Sequence, residues 1–238
     1  MITISAALDY LEAQYNPAIG LFHEAPNAAP THYWYYNDLY LAQLALQGMP
    51  TGATDIQWPN LAVPRCRVLS GYVFKDGTVL APDNIITISS LPNLIRTETP
   101  NLFATPYNVT QYADIAFYNV IHLFNQGQYS KARTALKTAE AMWDGNGWWD
   151  KSNSVVGNYG SYKCALYVIA CRMLGVNGTY LTANINVMTM CQVFNRPNFS
   201  NQQGGISTNY ISTGGILTNG YAGDTNIETT SLVVLASQ

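Results

Sequence analysis

Four carboxylates lie at comparable places in stretches of the chain that resemble one another. Glu24 and Asp150 each follow a glycine and two apolar residues, whereas Asp38 and Glu228 fall near the starts of predicted helices. Paired carboxylates can supply the general acid and the base or nucleophile that cleave a glycosidic bond. We therefore predict that these four side chains converge at one end of the fold and include the catalytic residues.

The neighbours of Glu24 and Asp150 predict different roles for the two acids. Glu24 lies among apolar residues, and apolar surroundings raise a carboxyl pKa, which suits a general acid. Asp150 precedes Lys151 and is expected near Lys163, and a nearby cation keeps a carboxylate ionised, as a base or nucleophile requires. We expect Glu24 and Asp150 to face each other across the site.

Each of these residues also has a structural interpretation. Asp224, Asn226 and Glu228 suit the N-terminal cap and the dipole of a helix, and Asp38 can hydrogen-bond to a neighbouring helix start. Lys163 begins a helix predicted to be buried, so it must point into the site or pair with an acid. Pairing with Asp150 is the simpler alternative.

Aromatic residues flank the acids, and aromatic faces stack on the apolar faces of sugars. The predicted substrate-binding residues are His23, Trp34, Tyr35, Trp149, Tyr162 and Lys163. Core packing explains Trp34 and Trp149 equally well, and a histidine such as His23 or His32 is more often satisfied within its own loop. The partner that this set predicts is a polysaccharide or oligosaccharide.

No cofactor is predicted. The cysteines and histidines have none of the spacings of a zinc site. Asp144, Asn146 and Asp150 have the look of a calcium loop, although the twelfth-position acid of an EF-hand is missing. A turn that needs Asn-Gly explains the same residues.

The four cysteines allow one specific pairing. Cys164 and Cys171 lie on one predicted helix, about 10 Å apart along its axis, so they cannot bond to each other. If the protein is extracellular, Cys191 is expected to pair with Cys164 or Cys171 on the adjacent helix.

The acids belong to three stretches that share one plan: residues 20–46, 147–174 and 204–236. Each has a glycine turn, a loop containing glycine or proline, and a helix. Repeats on this scale indicate one supersecondary unit that is stacked several times.

Apolar periodicity predicts helices of two kinds. Helices with one apolar face are expected at residues 3–15, 130–143 and 179–194, and helices that are apolar nearly all round at 33–47, 109–125, 161–174 and 226–236. Their alternation predicts an all-α fold: an α/α barrel, or toroid, of helical hairpins that forms a single domain over residues 1–238. The buried helices would line its core, and the long loops would gather at one end.

Residues 50–107 interrupt this pattern with prolines, glycines and β-type runs. Two such runs, at 65–74 and 78–81, flank Lys75-Asp76-Gly77, which is a strong hairpin signal. A third strand is expected at 85–89. We predict a small β-ribbon confined to about residues 65–90.

The segment Gln202-Gln203-Gly204-Gly205-Ile206 and the helix at 226–236 resemble the repeat ends of α/α toroids. That group includes terpenoid cyclases, protein prenyltransferase β subunits, complement-type thioester domains and six-hairpin glycosidases. The Asp-x-Asp-Asp motif of the cyclases, the Cys-Gly-Glu-Gln thioester and a clear counterpart of the prenyltransferase zinc ligands are missing from the sequence. The resemblance is one of fold, and the acid-bearing, aromatic loop end that remains is similar to toroidal glycosidases and polysaccharide lyases.

The amino-acid composition limits which binding partners and which cellular location are expected. A net charge of −3 gives no basic surface, so nucleic acid is not expected as a partner. No apolar run reaches 18 residues, so no membrane span is predicted. Charged residues are only 11% of the chain, which is typical of secreted proteins, and Asn108, Asn177 and Asn198 open sequons for glycans.

The predicted function is that of an extracellular carbohydrate-active enzyme, secreted or at the cell surface, and most specifically a glycoside hydrolase. The alternative is a non-catalytic extracellular or cell-surface protein, structural or binding, on the same scaffold. Self-association is compatible with either prediction.

Overall fold

The computed structural model describes residues 1–17, 21–27, 34–48, 65–74, 83–87, 94–98, 109–194 and 197–238. The α-helices are α1 (Ile4–Ala13), α2 (Tyr36–Ala45), α3 (Ala113–Asn125), α4 (Tyr129–Ala139), α5 (Ser161–Leu174), α6 (Leu181–Met190) and α7 (Ile227–Ser237). The strands are β1 (Tyr15–Asn16), β2 (Leu21–Phe22), β3 (Trp34–Tyr35), β4 (Asp83–Thr87), β5 (Leu94–Glu98), β6 (Asn158–Gly160), β7 (Asn209–Thr213) and β8 (Ile216–Asn219). Short 3-10 helices cover Arg65–Ser70, Glu140–Met142 and Pro197–Gln202.

Four of the helices form the core. Helix α2 packs on α7, α7 on α5, and α5 on α3, while the 3-10 helix Arg65–Ser70 contacts both α2 and α3. Helix α5 is buried along almost its whole length, and most residues of α3 and α7 are buried as well. These helices must be apolar on most sides because they have protein on most sides.

The other three helices cover this core from outside. Helix α1 packs on α7, α4 on α3 and α6 on α5. Each buries a single stripe, as α4 does with Ala132, Leu136 and Ala139. The predicted alternation of one-sided and buried helices is therefore confirmed in the described parts of the chain. None of the described helices has the length and apolar character to cross a bilayer.

The prediction of an all-α barrel is wrong, because the fold mixes helices with sheets. Strands β6, β7 and β8 form an antiparallel sheet, strands β3, β5 and β4 form a mixed one, and β1 pairs with β2. The β7–β8 hairpin turns at Gly214 and Gly215, whose φ angles are 60° and 77°. Gly-Gly between strand-like runs is a signal for such a turn, and the sequence prediction took it for a loop.

The predicted ribbon at 65–90 is also wrong in its first part. Residues 65–70 form a 3-10 helix that buries Cys66 and Val68, and burial of every second residue imitates a strand. Asn125 donates hydrogen bonds to the carbonyls of Val68 (2.7 Å) and Tyr72 (3.3 Å), which occupies groups that a sheet would need.

The remainder of the ribbon is partly tested. The third strand is present as β4, but it pairs with β5, which lies beyond residue 90. The hairpin signal Lys75-Asp76-Gly77 lies outside the described residues.

All four cysteines are free thiols, and all are buried. The bridge predicted for Cys191 is therefore not formed in this structure. Burial raises the pKa of the Cys164 thiol to about 12 and that of Cys171 to about 11, and it raises the pKa of Cys191 well above its ordinary value.

We expect the thiols to be inert in the folded protein. Because the thiolate is the reactive form and these thiols are buried with raised pKa values, a disulfide reagent at pH 8 should label none of them rapidly in the native state. In denaturant without reductant, it should label four. A denatured count of two would show that a bridge forms in solution and would contradict the structure.

Candidate active site at the helix N-termini

The first turns of the buried helices carry charged residues. Asp38 lies in the first turn of α2, Asp114 in that of α3 and Glu228 in that of α7. A helix N-terminus favours carboxylates because its free N–H groups and its dipole are positive. Lys163, in the first turn of α5, is the exception, and its side chain is only 2% exposed.

A buried ion pair explains how a lysine can occupy the first turn of α5. The Nζ atom of Lys163 lies 2.9 Å from Oδ2 of Asp150. The same Oδ2 accepts the backbone N–H of Ala113 (2.8 Å) at the start of α3. The other oxygen, Oδ1, accepts the backbone N–H and the hydroxyl of Ser152 (2.9 and 2.6 Å). The predicted pairing of Lys163 with Asp150 is confirmed, and one carboxylate joins the starts of α3 and α5.

The contacts of Asp150 are those of a structural anchor. Burial alone would raise the pKa of its carboxyl, but hydrogen bonds from Ser152 and Ala113 and the charge of Lys163 outweigh burial, so the pKa is lowered. Lys163 also donates to Ser152 Oγ (2.9 Å) and Asn153 Oδ1 (3.3 Å). Both carboxylate oxygens are occupied, so a catalytic role for Asp150 stays a prediction that these contacts do not favour.

The charges of carboxylates from separate elements act on Tyr162. Burial raises the pKa of its hydroxyl well above the ordinary value, and Asp114, Glu228 and Asp150 raise it further, while Arg65 opposes them. The phenol therefore keeps its proton at neutral pH. We call Tyr162 with Asp114, Asp150, Glu228 and Arg65 the Tyr162 cluster.

The sequence prediction missed two members of this cluster, Asp114 and Arg65. An Arg65 nitrogen lies 3.7 Å from Asp114 Oδ2, and its guanidinium sits 5.6 Å from the centre of the Tyr118 ring. Asp114 could have been found, because it occupies the first turn of a predicted buried helix as Glu228 does. Arg65 could not, because its segment was predicted as a strand in an insertion.

Glu24 is bonded to the start of α7 through its backbone, and its predicted position opposite Asp150 stays a prediction. Its carbonyl accepts the backbone N–H of Ile227 (3.0 Å), the neighbour of Glu228. The predicted capping role belongs to Asn226, whose Oδ1 accepts the N–H of Thr229 (2.8 Å). The capping residue of α7 is thus Asn226, and Glu228 follows it within the first turn.

Asp38 is associated with a different group. Its side chain is buried, with the residue 3% exposed. Burial raises the pKa of Tyr10, and the charges of Asp38 and Asp224 add to this effect. The charge of Asp38 thus acts on Tyr10, whereas the charges of Asp150 and Glu228 act on Tyr162.

A small polar pocket opens beside the Tyr162 cluster, with a volume of about 180 Å³. Its lining consists of Ser152, Asn153, Ser154, Val155, Asn158, Gly160, Tyr162, Lys163 and Asn209. A Cβ atom at Gly160 would lie 2.7 Å from the Tyr162 ring, so only glycine allows the ring to fold against this wall. We call this cavity the polar pocket.

The predicted sugar-stacking residue Trp149 and its neighbour Trp148 differ in burial. Trp149 is partly exposed and meets the Tyr159 ring edge to face at 6.2 Å. Its neighbour Trp148 is fully buried and donates its indole N–H to Asn184 Oδ1 (2.7 Å). Trp148 is thus a packing residue.

The predicted residues near the first repeat lie away from the polar pocket or cannot be placed. His23 lines another cleft of about 510 Å³, together with Tyr15. The side chains of Trp34 and Tyr35 lie outside the described residues, and so does His32.

The loop proposed for calcium is held by its own hydrogen bonds. Asp144 Oδ1 accepts the N–H groups of Asn146 (2.8 Å) and Gly147 (3.0 Å), and Oδ2 accepts the Tyr159 hydroxyl (2.7 Å). These contacts fit the turn alternative. Among the described residues, no group of three or more His, Cys, Asp or Glu side chains is placed to hold a metal ion.

Comparison of the chain with known proteins finds no matching family model, no matching curated protein and no matching solved structure. The geometry of the site is therefore the basis on which function is inferred.

We expect the Asp150–Lys163 pair to stabilise the fold as a unit. Asp150→Ala should lower the free energy of unfolding by about 3–5 kcal/mol, because Lys163 would be buried without its counter-charge. The double variant Asp150→Leu/Lys163→Met should lose less, because it leaves no unpaired charge. Urea unfolding at pH 7 measures both, and a double variant less stable than Asp150→Ala would contradict this account.

The same pair predicts a pH dependence. Because the folded pKa of Asp150 is lowered, its contribution is complete above the unfolded value of about 3.9 and is lost as pH falls through the folded value. Between pH 5 and 3, wild type should therefore lose more stability than the double variant. Equal losses over this range would exclude the pair as an acid-sensitive element.

Proposed function

We propose that this chain is a carbohydrate-active enzyme, a glycoside hydrolase, with Glu228 and Asp114 as its catalytic carboxylates. The observation that supports the proposal is that the first turns of α3 and α7 carry acids whose charges, with that of the buried Asp150, act on the Tyr162 hydroxyl. Hydrolysis of a glycosidic bond needs two carboxyl groups in unlike environments, and the Tyr162 cluster offers them.

Asp150 is assigned to positioning in this proposal. Its two oxygens are occupied by Ala113, Ser152 and Lys163, and using one for catalysis would break the link between α3 and α5. Asp114 and Glu228 do not take part in the link that Asp150 makes between α3 and α5. Both lie on first turns, and both helices pack on α5 or on its neighbours.

The surroundings of the two acids divide the work between them. Asp114 is held in an ion pair with Arg65 at 3.7 Å, and we assign it the role of base or nucleophile. Glu228, in the first turn of α7, is assigned the transfer of the proton to the leaving oxygen.

Tyr162 would act as a neutral donor. Its raised pKa keeps the hydroxyl protonated throughout the neutral range, so it can donate a hydrogen bond to a substrate oxygen without supplying charge. Its ring also forms a wall of the polar pocket, and an aromatic wall suits the apolar face of a sugar.

A second candidate function is carbohydrate binding without catalysis. It is favoured because both carboxylate oxygens of Asp150 are already occupied by hydrogen bonds and an ion pair. One of the acids predicted to be catalytic is therefore not open to a substrate. The polar pocket would serve a binding protein equally well. The two functions differ in turnover and agree in sugar binding.

We expect Glu228→Gln and Asp114→Asn each to reduce turnover by roughly 10² or more, because each removes one proton-transfer or nucleophilic group. The assay is release of reducing ends from a polysaccharide panel by the wild type, followed by the variants on the substrate that is cleaved. Circular dichroism and thermal melts should show that both variants keep the fold.

Asp9→Asn is the matched control, because Asp9 is an exposed acid on α1 and should keep full activity. Full activity of Glu228→Gln or Asp114→Asn would remove that residue from the mechanism. A wild type that binds sugars but cleaves none of the panel would favour the binding function.

A further inference from the structure

We propose that the polar pocket binds a single neutral sugar ring, and that the side-chain oxygen of Asn158 is the group that recognises one of its hydroxyls. This inference rests on the proposed function for the class of ligand. It adds the location of the bound ring, its charge and the residue that selects it.

Asn158 has an unused hydrogen-bond acceptor. Its Oδ1 atom is buried, and no residue in the described part of the chain donates to it. A buried acceptor without a partner costs about 1–3 kcal/mol, so native structures rarely keep one without a reason. A ligand hydroxyl would satisfy it once the Asn158 side chain turns towards the pocket that the residue lines.

Hydrogen bonds hold the backbone of Asn158 in place. Its N–H donates to the carbonyl of Val155 (3.2 Å), and its carbonyl accepts the side-chain amide of Asn153 (2.9 Å). The main chain is thus hydrogen-bonded on both sides. Strand β6, which Asn158 begins, is fixed further by pairing with β7.

The volume of the pocket limits the ligand. The pocket volume of about 180 Å³ suits a ligand of the size of one sugar ring. Hydroxyl and amide groups of Ser154, Asn158 and Asn209 line it, and such groups match a ligand that carries several hydroxyls.

The charge around the pocket selects against anions. Lys163 is the cation in the lining, and it is already neutralised by Asp150 at 2.9 Å. Arg65 is likewise paired, with Asp114 at 3.7 Å. A uronic acid or a sulfated sugar would therefore meet no unpaired cation among these groups to offset the cost of desolvating its charge, whereas a neutral ring needs none.

The test is direct binding to the intact chain. We expect saturation-transfer NMR and calorimetry to detect binding of at least one of the methyl glycosides of glucose, galactose, mannose and N-acetylglucosamine to the Glu228→Gln variant, which cannot consume them. The methyl glycoside of glucuronic acid should bind at least tenfold more weakly than the best neutral ring.

Asn158→Leu, made in the same background, should weaken binding of that ring by roughly tenfold or more, the loss expected for one hydrogen bond to a buried group. Its melting temperature should stay equal or rise, because the replaced oxygen has no partner in the free protein. A fall in melting temperature together with unchanged affinity would show a merely structural asparagine and would overturn the proposal.

Asn186→Leu is the matched control. Asn186 lines a larger cleft of about 550 Å³ beside Trp143, so its replacement should leave binding unchanged. Loss of binding in Asn186→Leu but not in Asn158→Leu would move the sugar to that cleft and overturn the proposal. So would tighter binding of the glucuronide, or no binding of any of these glycosides.

The result of this binding test can be distinguished from the result of the hydrolysis test of the proposed function. Binding that depends on Asn158, with no hydrolysis by wild type, would support the pocket and end the enzymatic proposal. Hydrolysis by wild type with a KM that Asn158→Leu leaves unchanged would support the enzyme and end the inference about the pocket.

Discussion

The fold depends on a lysine that is buried in an apolar environment. Lys163 enters the first turn of the most deeply buried helix, where an unpaired charge could not be tolerated. Asp150 neutralises it at 2.9 Å and also accepts the first N–H of α3 at 2.8 Å. A single carboxylate therefore fixes the relative positions of α3 and α5. Because Asp114 and Tyr162 lie on those helix starts, their separation also depends on Asp150.

The carboxylates near the helix starts act on Tyr162 together. Both oxygens of Asp150 are hydrogen-bonded, so its contribution is geometric. Burial raises the pKa of Tyr162 most, and the charges of Asp114, Glu228 and Asp150 raise it further. Three acids whose charges act on one phenol oppose folding, since like charges repel in a weakly polar medium. Such an arrangement is common where proteins carry out chemistry, which is why the cluster supports catalysis better than any single residue does.

Sequence patterns predicted the helices well and the sheets poorly, for a physical reason. Helix α5, its burial, the Asn226 cap and the Lys163–Asp150 pair all follow from local periodicity, capping preference and the cost of a buried charge. The β6–β7 pairing joins residues 158–160 to residues 209–211, and no local pattern encodes a partner so distant. The short strand β6 showed no alternation long enough to detect.

The site was predicted in part for the same reason. Acids at helix starts can be found in a sequence, so Asp150 and Glu228 were expected at one place, and the charges of both act on Tyr162. Arg65 lies on a 3-10 helix whose sequence pattern resembles that of a strand. The side-chain oxygen of Asn158 lacks a hydrogen-bond partner only in the folded chain, so no sequence pattern could reveal it.

The central claim is that the Tyr162 cluster and the polar pocket form one sugar site. A crystal structure of Glu228→Gln soaked with a neutral oligosaccharide tests this claim most directly. The account predicts a sugar ring in the polar pocket, hydrogen-bonded to Asn158, with its glycosidic oxygen next to residue 228. An ordered sugar in the cleft beside Trp143, with only water in the polar pocket, would contradict it.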